Sequence, residues 1–158
     1  MSGTKKRIVH IQLDEKSGVR RRPEVEQERA IAIFDLLEEN SFAPIGDENG
    51  PYAVHLSVED NRLLLDIRTQ DGQPLQSITL PVKQFQSIIK DYFLICESYF
   101  DAIRKSTPAQ IEAIDVGRRG LHNEGSSLLK ERLADKIDLD FDTARRLFTL
   151  VCILHIKG

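Results

Sequence analysis

Apolar and polar positions along the chain alternate with a period of two in some stretches and of three to four in others. Between residues 81 and 104, Phe85, Ile89, Tyr92, Cys96, Tyr99 and Ile103 recur at alternating spacings of four and three, which is the seam of an amphipathic helix. Ile88, Ile95 and Ala102 widen that seam on one flank, and Phe93 and Phe100 on the other. What is left is a narrow polar strip of Gln86, Lys90, Glu97, Asp101 and Arg104. A helix so apolar has to be covered on more than one side, by a sheet, by other helices or by a second copy of the chain. At a rise of about 1.5 Å per residue it runs roughly 33 Å, the width of a small domain. The spacing therefore predicts a long central helix on which the remaining elements are built.

Period two governs residues 52–80. With Asp60-Asn61 as a two-residue hairpin loop, Val58 faces Leu63, Leu56 faces Leu65 and Val54 faces Ile67, all apolar. The opposite face pairs Glu59 with Arg62, His55 with Asp66 and Ala53 with Arg68. Opposite charges across strands add about 0.2–1 kcal/mol each, so both faces favour one register. A second loop at Asp71-Gly72 sets Leu65 against Ile78 and Leu63 against Leu80. The expectation is an antiparallel meander, 52–59, 62–69 and 75–80, with one face wet and one packed on the central helix. His55 beside Asp66 has no nucleophile on its face and reads as a structural pair.

Ahead of the meander, residues 1–7 read as a tail and Ile8–Leu13 as a short strand with Val9, Ile11 and Leu13 on one face. Arg20-Arg21-Arg22 reads as a solvated loop before a helix from Pro23 to about Asn40. Ala30, Ile33, Phe34 and Leu37 of that helix are expected to face the core, with Glu24, Glu28, Glu38 and Glu39 on a solvated face. Residues 41–51 are rich in Pro and Gly and read as a connector. After the central helix, Thr107 with Gln110 forms a capping box and Pro108 suits the first helical position, so a short helix runs to Val116 and ends at Gly117. Leu121, Leu128, Leu129, Leu133 and Ile137 make a further amphipathic helix. Asp138, Asp140 and Asp142 lead into a last helix through 147–156, where β-branched residues leave a buried strand as the alternative. The fold class is thus α+β: a meander packed on a long helix, followed by an all-helical C-terminal half. Residues 1–22 form a tail with an edge strand, and 23–158 one domain.

At 158 residues one domain can bury roughly two-thirds of its unfolded surface. A net charge of −3 argues against a nucleic-acid binder, which shows a basic excess. The charges on the central helix rule it out as a membrane span. Cys96 and Cys152 lie in apolar runs, the pattern of buried thiols in a reducing compartment, and Ile8–Leu13 is too short for a signal-peptide core; the cytoplasm is the expected location.

Candidate chemistry concentrates in Asp115–Ser127, where three glycines, two arginines, a histidine, an asparagine, a glutamate and two serines fall together. Read as a glycine-bent turn, this stretch lets backbone approach a ligand while Arg118 and Arg119 match a phosphate or carboxylate. A helix starting near Asn123 or Ser126 would add free amides. The ligand-binding set is then Arg118, Arg119, His122, Asn123, Glu124 and Ser126. Established templates are incomplete here. The glycines fit neither a dinucleotide fingerprint nor a P-loop, and His122-Asn123-Glu124 lacks the Pro-Cys-x-x-Cys of a zinc deaminase. The three aspartates of 138–142 lack the glycine and distal glutamate of a calcium loop. No metal and no cofactor is assigned.

Three runs carry a resemblance: Asp91-Tyr-Phe-Leu-Ile-Cys-Glu-Ser-Tyr99; Ile111-Glu-Ala-Ile-Asp115 with Gly117-Arg-Arg-Gly120 and His122-Asn-Glu-Gly125; and Asp140-Phe-Asp-Thr-Ala-Arg-Arg-Leu-Phe-Thr-Leu-Val-Cys152. The chain resembles uncharacterised protein family 0262, densely in its second half and more loosely back to Pro23, without residues 1–22. The resemblance implies a bacterial, cytoplasmic, single-domain protein and supplies no catalytic residues. The leading expectation is a non-catalytic binding or regulatory module, recognising a protein partner or a small anionic ligand at the 115–127 turn, with a homodimer as one way to cover the central helix. The alternative is a hydrolase or transferase acting on a phosphorylated or carboxylated small molecule. In it Arg118 and Arg119 clamp the anion, His122 is the general acid or base, and Glu124 orients it.

Overall fold

The computed structural model describes residues 5–14 and 23–155; the expected loop at Arg20–Arg22 lies outside them, as do residues 1–4 of the expected tail. In chain order the elements are β1 (Ile8–Leu13), α1 (Pro23–Glu38), β2 (Phe42–Pro44), β3 (Tyr52–Glu59), β4 (Arg62–Thr69) and β5 (Pro74–Pro81). Then come α2 (Lys83–Lys105), α3 (Pro108–Leu133), β6 (Ile137–Leu139) and α4 (Phe141–Leu154). The protein is α+β, and most of its second half is helical.

The main sheet has the order β1-β3-β4-β5. Its β3–β4 hairpin has the register set by the two-faced pattern: Val58↔Leu63, Leu56↔Leu65 and Val54↔Ile67 inside, Glu59↔Arg62, His55↔Asp66 and Ala53↔Arg68 outside. Asp60 and Asn61 take φ of 51° and 60°, the left-handed pair that a two-residue hairpin turn requires. On the next strand Leu65↔Ile78 and Leu63↔Leu80 pair as expected. Asp66 is held by Arg68 at 2.7 Å rather than serving His55. β1 joins β3 in parallel, with an irregular register between Ile8 and His10. That irregularity resets the alternation: Ile8 is fully buried where Val9 was expected inside.

Helix α2 carries Phe85, Ile89, Tyr92 and Cys96 into the core as its spacing requires, but Ile103 at the end of the seam is half exposed. The most completely buried helix is α4, with eight buried residues including Ala144, Leu147, Phe148, Leu150 and Val151. It is a helix, so the strand alternative for this run is set aside. Asp140 caps it, its Oδ1 accepting from the Thr143 amide at 2.9 Å. The Thr107–Gln110 capping box opens α3 as anticipated, with Pro108 at its first position.

Further expectations are corrected. Helix α1 is turned part of the way round: Ile33 and Leu37 pack against the core as expected, but Ala32 and Leu36 are the buried residues, while Ala30 is exposed and Phe34 is 65% exposed, the inward face being the one that meets α4 and β1. The connector 41–51 contains β2, and Ile137 leaves the preceding helix to form β6. These strands pair antiparallel, Phe42 with Leu139 and Pro44 with Ile137, burying Phe42, Ile137 and Leu139. Lastly, no helix ends at Gly117. Helix α3 runs unbroken from Pro108 to Leu133, and the expected turn at 115–127 is its middle.

The glycines of that helix serve packing rather than bending. A Cβ on Gly125 would overlap the ring of buried Phe148, and one on Gly117 would stand 2.8 Å from Ile95 Cδ1. Their absence of side chain lets α4 and α2 approach α3 closely. Gly120 faces open space.

Candidate functional site

A continuous helix sorts the predicted residues by face, since positions four apart stack while neighbours diverge. Arg118, His122 and Ser126 share one face of α3. Asn123 and Glu124 are exposed on another, and their side chains hold no hydrogen bond or ion pair among the described residues. The structure therefore brings together only part of the six-residue set.

Arg118 is spent on its own neighbours. Its Nε and Nη2 donate to Asp115 Oδ1 at 3.1 and 2.7 Å, Nη1 lies 3.5 Å from Glu28 Oε1, and the guanidinium stands 4.5 Å over the Tyr99 ring. Arg119 reaches the same carboxylate, 3.2 Å from Asp115 Oδ2, with its side chain 58% exposed. The hydrogen bond from Arg118, together with both positive charges, holds the Asp115 carboxyl below its usual range. Both arginines are thus tied to one aspartate, not aimed at a shared anion pocket.

Under Arg118 lies a buried polar seam. Glu28 is pushed upward in pKa by burial, opposed by Arg118 and by a hydrogen bond with Tyr92. Burial, and next Glu28, raise the Tyr92 phenol well above its ordinary value. Burial also pushes the Cys96 thiol up to about 11 and Cys152 higher than normal, so neither is a thiolate at neutral pH.

His122 is the inward end of the set. Its ring lies between Tyr92 and Phe148, with centroids 5.4 Å from each, and Nε2 is 2.7 Å from Thr149 Oγ1. Burial, then the charges of Arg145 and Arg118, lower its pKa to about 4, so it is neutral at pH 7. The protons can be placed by counting. Thr149 Oγ1 donates to the Arg145 carbonyl at 3.2 Å, so it accepts from His122 Nε2–H. Ser126 donates to the His122 carbonyl at 2.7 Å, leaving only a 3.4 Å approach to Nδ1. In this arrangement the imidazole is a donor to Thr149, not a base that activates it. With Glu124 exposed, the constellation of the hydrolase or transferase reading is not assembled.

His122 and Thr149 nevertheless reach the surface at one place: an open cleft of about 280 Å³ between α1, α3 and α4, lined also by Glu28, Ile31, Asp35, Asp142, Arg145 and Arg146. Arg146 donates to the Glu39 carbonyl at 2.8 Å. Arg145 is the freer cation. Its nearest carboxylate, Asp142, is 4.0 Å away, and its Nε is buried without an acceptor among the described residues. In the sequence Arg145-Arg146 merely follow the aspartates that open the last helix, and Thr149 is one of several β-branched residues in its apolar run. The signal available was the four-residue spacing that places Arg145 and Thr149 on one face; what it could not show was that His122 meets that face from another helix.

Among the described residues no helix is long and apolar enough to cross a membrane. Similar proteins include a UPF0262 protein of Paramagnetospirillum magneticum, 66% identical and covering 98% of each chain. Another, from Rhodospirillum rubrum, is 62% identical over 96% of this chain and 93% of the relative. A third, from Rhizobium etli, is 57% identical over 96% of each. No solved structure matches. The model of the uncharacterised protein family UPF0262 matches residues 5–157, so the similarity takes in β1 as well as the region from Pro23 onward, and the chain belongs to that family.

Proposed function

We propose that this protein is a non-catalytic binding or regulatory module, and that it recognises a small molecule bearing a carboxylate or phosphate in the cleft between α1, α3 and α4. The observation that carries the reading is Arg145: a guanidinium at a polar cleft, with one buried N–H lacking an acceptor among the described residues and a long ion pair, 4.0 Å, to Asp142. An unsatisfied buried donor costs about 1–3 kcal/mol, which an incoming anion would relieve. His122 in the same lining is neutral, so the attraction for an anion comes from the guanidinium. Asp35 and Asp142 in the same lining favour ligands that carry an amine beside the anionic group, as an amino acid does.

The test is a thermal melt against inorganic phosphate, dicarboxylates and α-amino acids. A ligand present at a hundred times its Kd stabilises the native state by about 2.7 kcal/mol. The reading expects such a rise for one of these classes, its loss in Arg145→Ala, and its retention in Arg119→Ala. A rise that survives Arg145→Ala but vanishes in Arg119→Ala returns recognition to the outer face of α3. No rise with any class removes the small-ligand reading.

A further inference from the structure

The two edges of the main sheet are finished differently. At the β1 edge, Asn40 closes the start of the strand: its Oδ1 accepts from the Ile8 amide at 2.7 Å and its Nδ2 donates to the Ile8 carbonyl at 2.9 Å. Just ahead of it, the Phe42 amide donates to the Lys6 carbonyl at 3.0 Å. The other edge is β5, and among the described elements its strand neighbour is β4 alone. An open edge is a template for pairing with another strand, which proteins ordinarily blunt with charge, proline or a covering segment. Strand β5, Pro-Leu-Gln-Ser-Ile-Thr-Leu-Pro, carries no charge at all, in a chain where 30% of residues are charged. Its prolines stand only at its two ends.

The direction of its backbone groups follows from the bonds at each end of the β4–β5 pair. The Val82 amide donates to the Asn61 carbonyl and the Thr69 amide to the Gln73 carbonyl, both at 2.9 Å. Counting inward from Val82, the narrow hydrogen-bonded pairs are Leu63↔Leu80, Leu65↔Ile78 and Ile67↔Gln76, since such pairs alternate with wide ones. Gln76, Ile78 and Leu80 therefore turn their N–H and C=O toward β4. Ser77 and Thr79 turn theirs outward, and both residues are exposed.

We infer that β5 is the contact between two copies of this chain, joined as an antiparallel β5–β5 pair with Ile78 on the two-fold axis. In that register Ser77 of one copy faces Thr79 of the other, and each of these narrow pairs exchanges both of its N–H···O bonds. The side chains brought together on the wet face are hydroxyls, and Ile78, already buried within one copy, stands beneath them at the axis. The flanks suit a second copy in this orientation. Exposed Asp71 precedes the strand and exposed Lys83 follows it, so antiparallel pairing brings acid toward base at both ends, while parallel pairing would bring like to like. The sheet becomes a continuous one of both copies, with the two β5 strands side by side at its centre.

The experiment is sedimentation of the full chain over a range of concentrations, with amide hydrogen exchange on the same samples. The inference expects a reversible dimer, and protection of the Ser77 and Thr79 amides that grows with the dimer fraction, while the Ile78 amide is protected throughout. The double variant Ser77→Lys/Thr79→Lys places ammonium groups opposite one another in both narrow pairs, and should weaken association by roughly tenfold or more, with a melting temperature equal to that of the wild type at concentrations where both are monomeric. Thr79→Pro, which removes only an outward N–H, should do the same. A monomer at every concentration overturns the inference. So does a dimer whose Ser77 and Thr79 amides exchange freely, or one that the lysine pair leaves unchanged.

Discussion

The three glycines of α3 offer a decisive perturbation, because a bent turn and a continuous helix predict opposite results for them. In a helix, replacing Gly by Ala gains about 1 kcal/mol of propensity when nothing is in the way. At Gly120 no heavy atom lies within 4 Å of the new Cβ, so Gly120→Ala should stabilise by about that amount. For a domain of this length that is a rise of roughly 2–4 °C in Tm. At Gly117 the obstacle is the mobile end of Ile95, 2.8 Å away, and gain and clash should nearly cancel. Gly125 is different. The new carbon would meet three atoms of the Phe148 ring, the farthest of them Cε1 at 2.6 Å, and Phe148 has no exposed surface into which to retreat. Overpacking of that kind costs about 1–3 kcal/mol. Taking the upper value less the propensity gain, Gly125→Ala should destabilise by about 2 kcal/mol, or roughly 4–8 °C. The assay is urea and thermal unfolding of the three single variants. The order Gly120→Ala above wild type, Gly117→Ala level with it and Gly125→Ala well below supports the helix. If Gly120→Ala destabilises by more than 1 kcal/mol, as Ala does at a left-handed turn position, the reasoning fails.

Two further perturbations address the polar seam. His122, depressed to about 4 from an unfolded value near 6.5, binds a proton more readily in the unfolded chain. Stability should therefore fall as pH drops from about 6.5 toward 4, by roughly 3 kcal/mol in all, and His122→Gln should flatten that slope; an NMR titration of the imidazole with a midpoint above 6 would contradict it. Arg118→Ala strands Asp115 and half-buried Glu28 and uncovers Tyr99; with screening of these partly exposed pairs it should cost about 1–2 kcal/mol in urea unfolding. Glu28→Gln should cost less, because burial already works against the charge at that position.

What the sequence disclosed and what it concealed divide along physical lines. The β3–β4 hairpin was legible to the residue, because period two combined with paired charges admits one register; β5 extends one residue beyond the expected 75–80 at each end, with an irregularity between Ile67 and Arg68. The capping box at Thr107 was equally explicit, and the aspartates of 138–142 included the cap, Asp140, without singling it out. Helix α1 was not: its apolar residues lie around much of the helix, and which of them face inward is decided by the surfaces of α4 and β1. The glycines of 115–127 misled for a related reason. Glycine marks either a bend or a close approach, and only Phe148 and Ile95, remote in sequence, determine that Gly125 and Gly117 are the latter. As to the site, Arg118, Arg119, His122, Asn123, Glu124 and Ser126 form one cluster in the sequence, and a helix distributes them over different faces. Its inward members met Thr149, Arg145 and Glu28, which local sequence could not associate with them.

The most direct test of the account is a ¹⁵N chemical-shift map recorded while the α-amino acid, dicarboxylate or phosphate that gives the largest thermal shift is titrated in. Recognition in the three-helix cleft predicts perturbations at Arg145, Arg146, Thr149 and His122, with saturation. Perturbations centred instead on Arg119, Asn123 and Glu124, or none at saturating ligand, would contradict it.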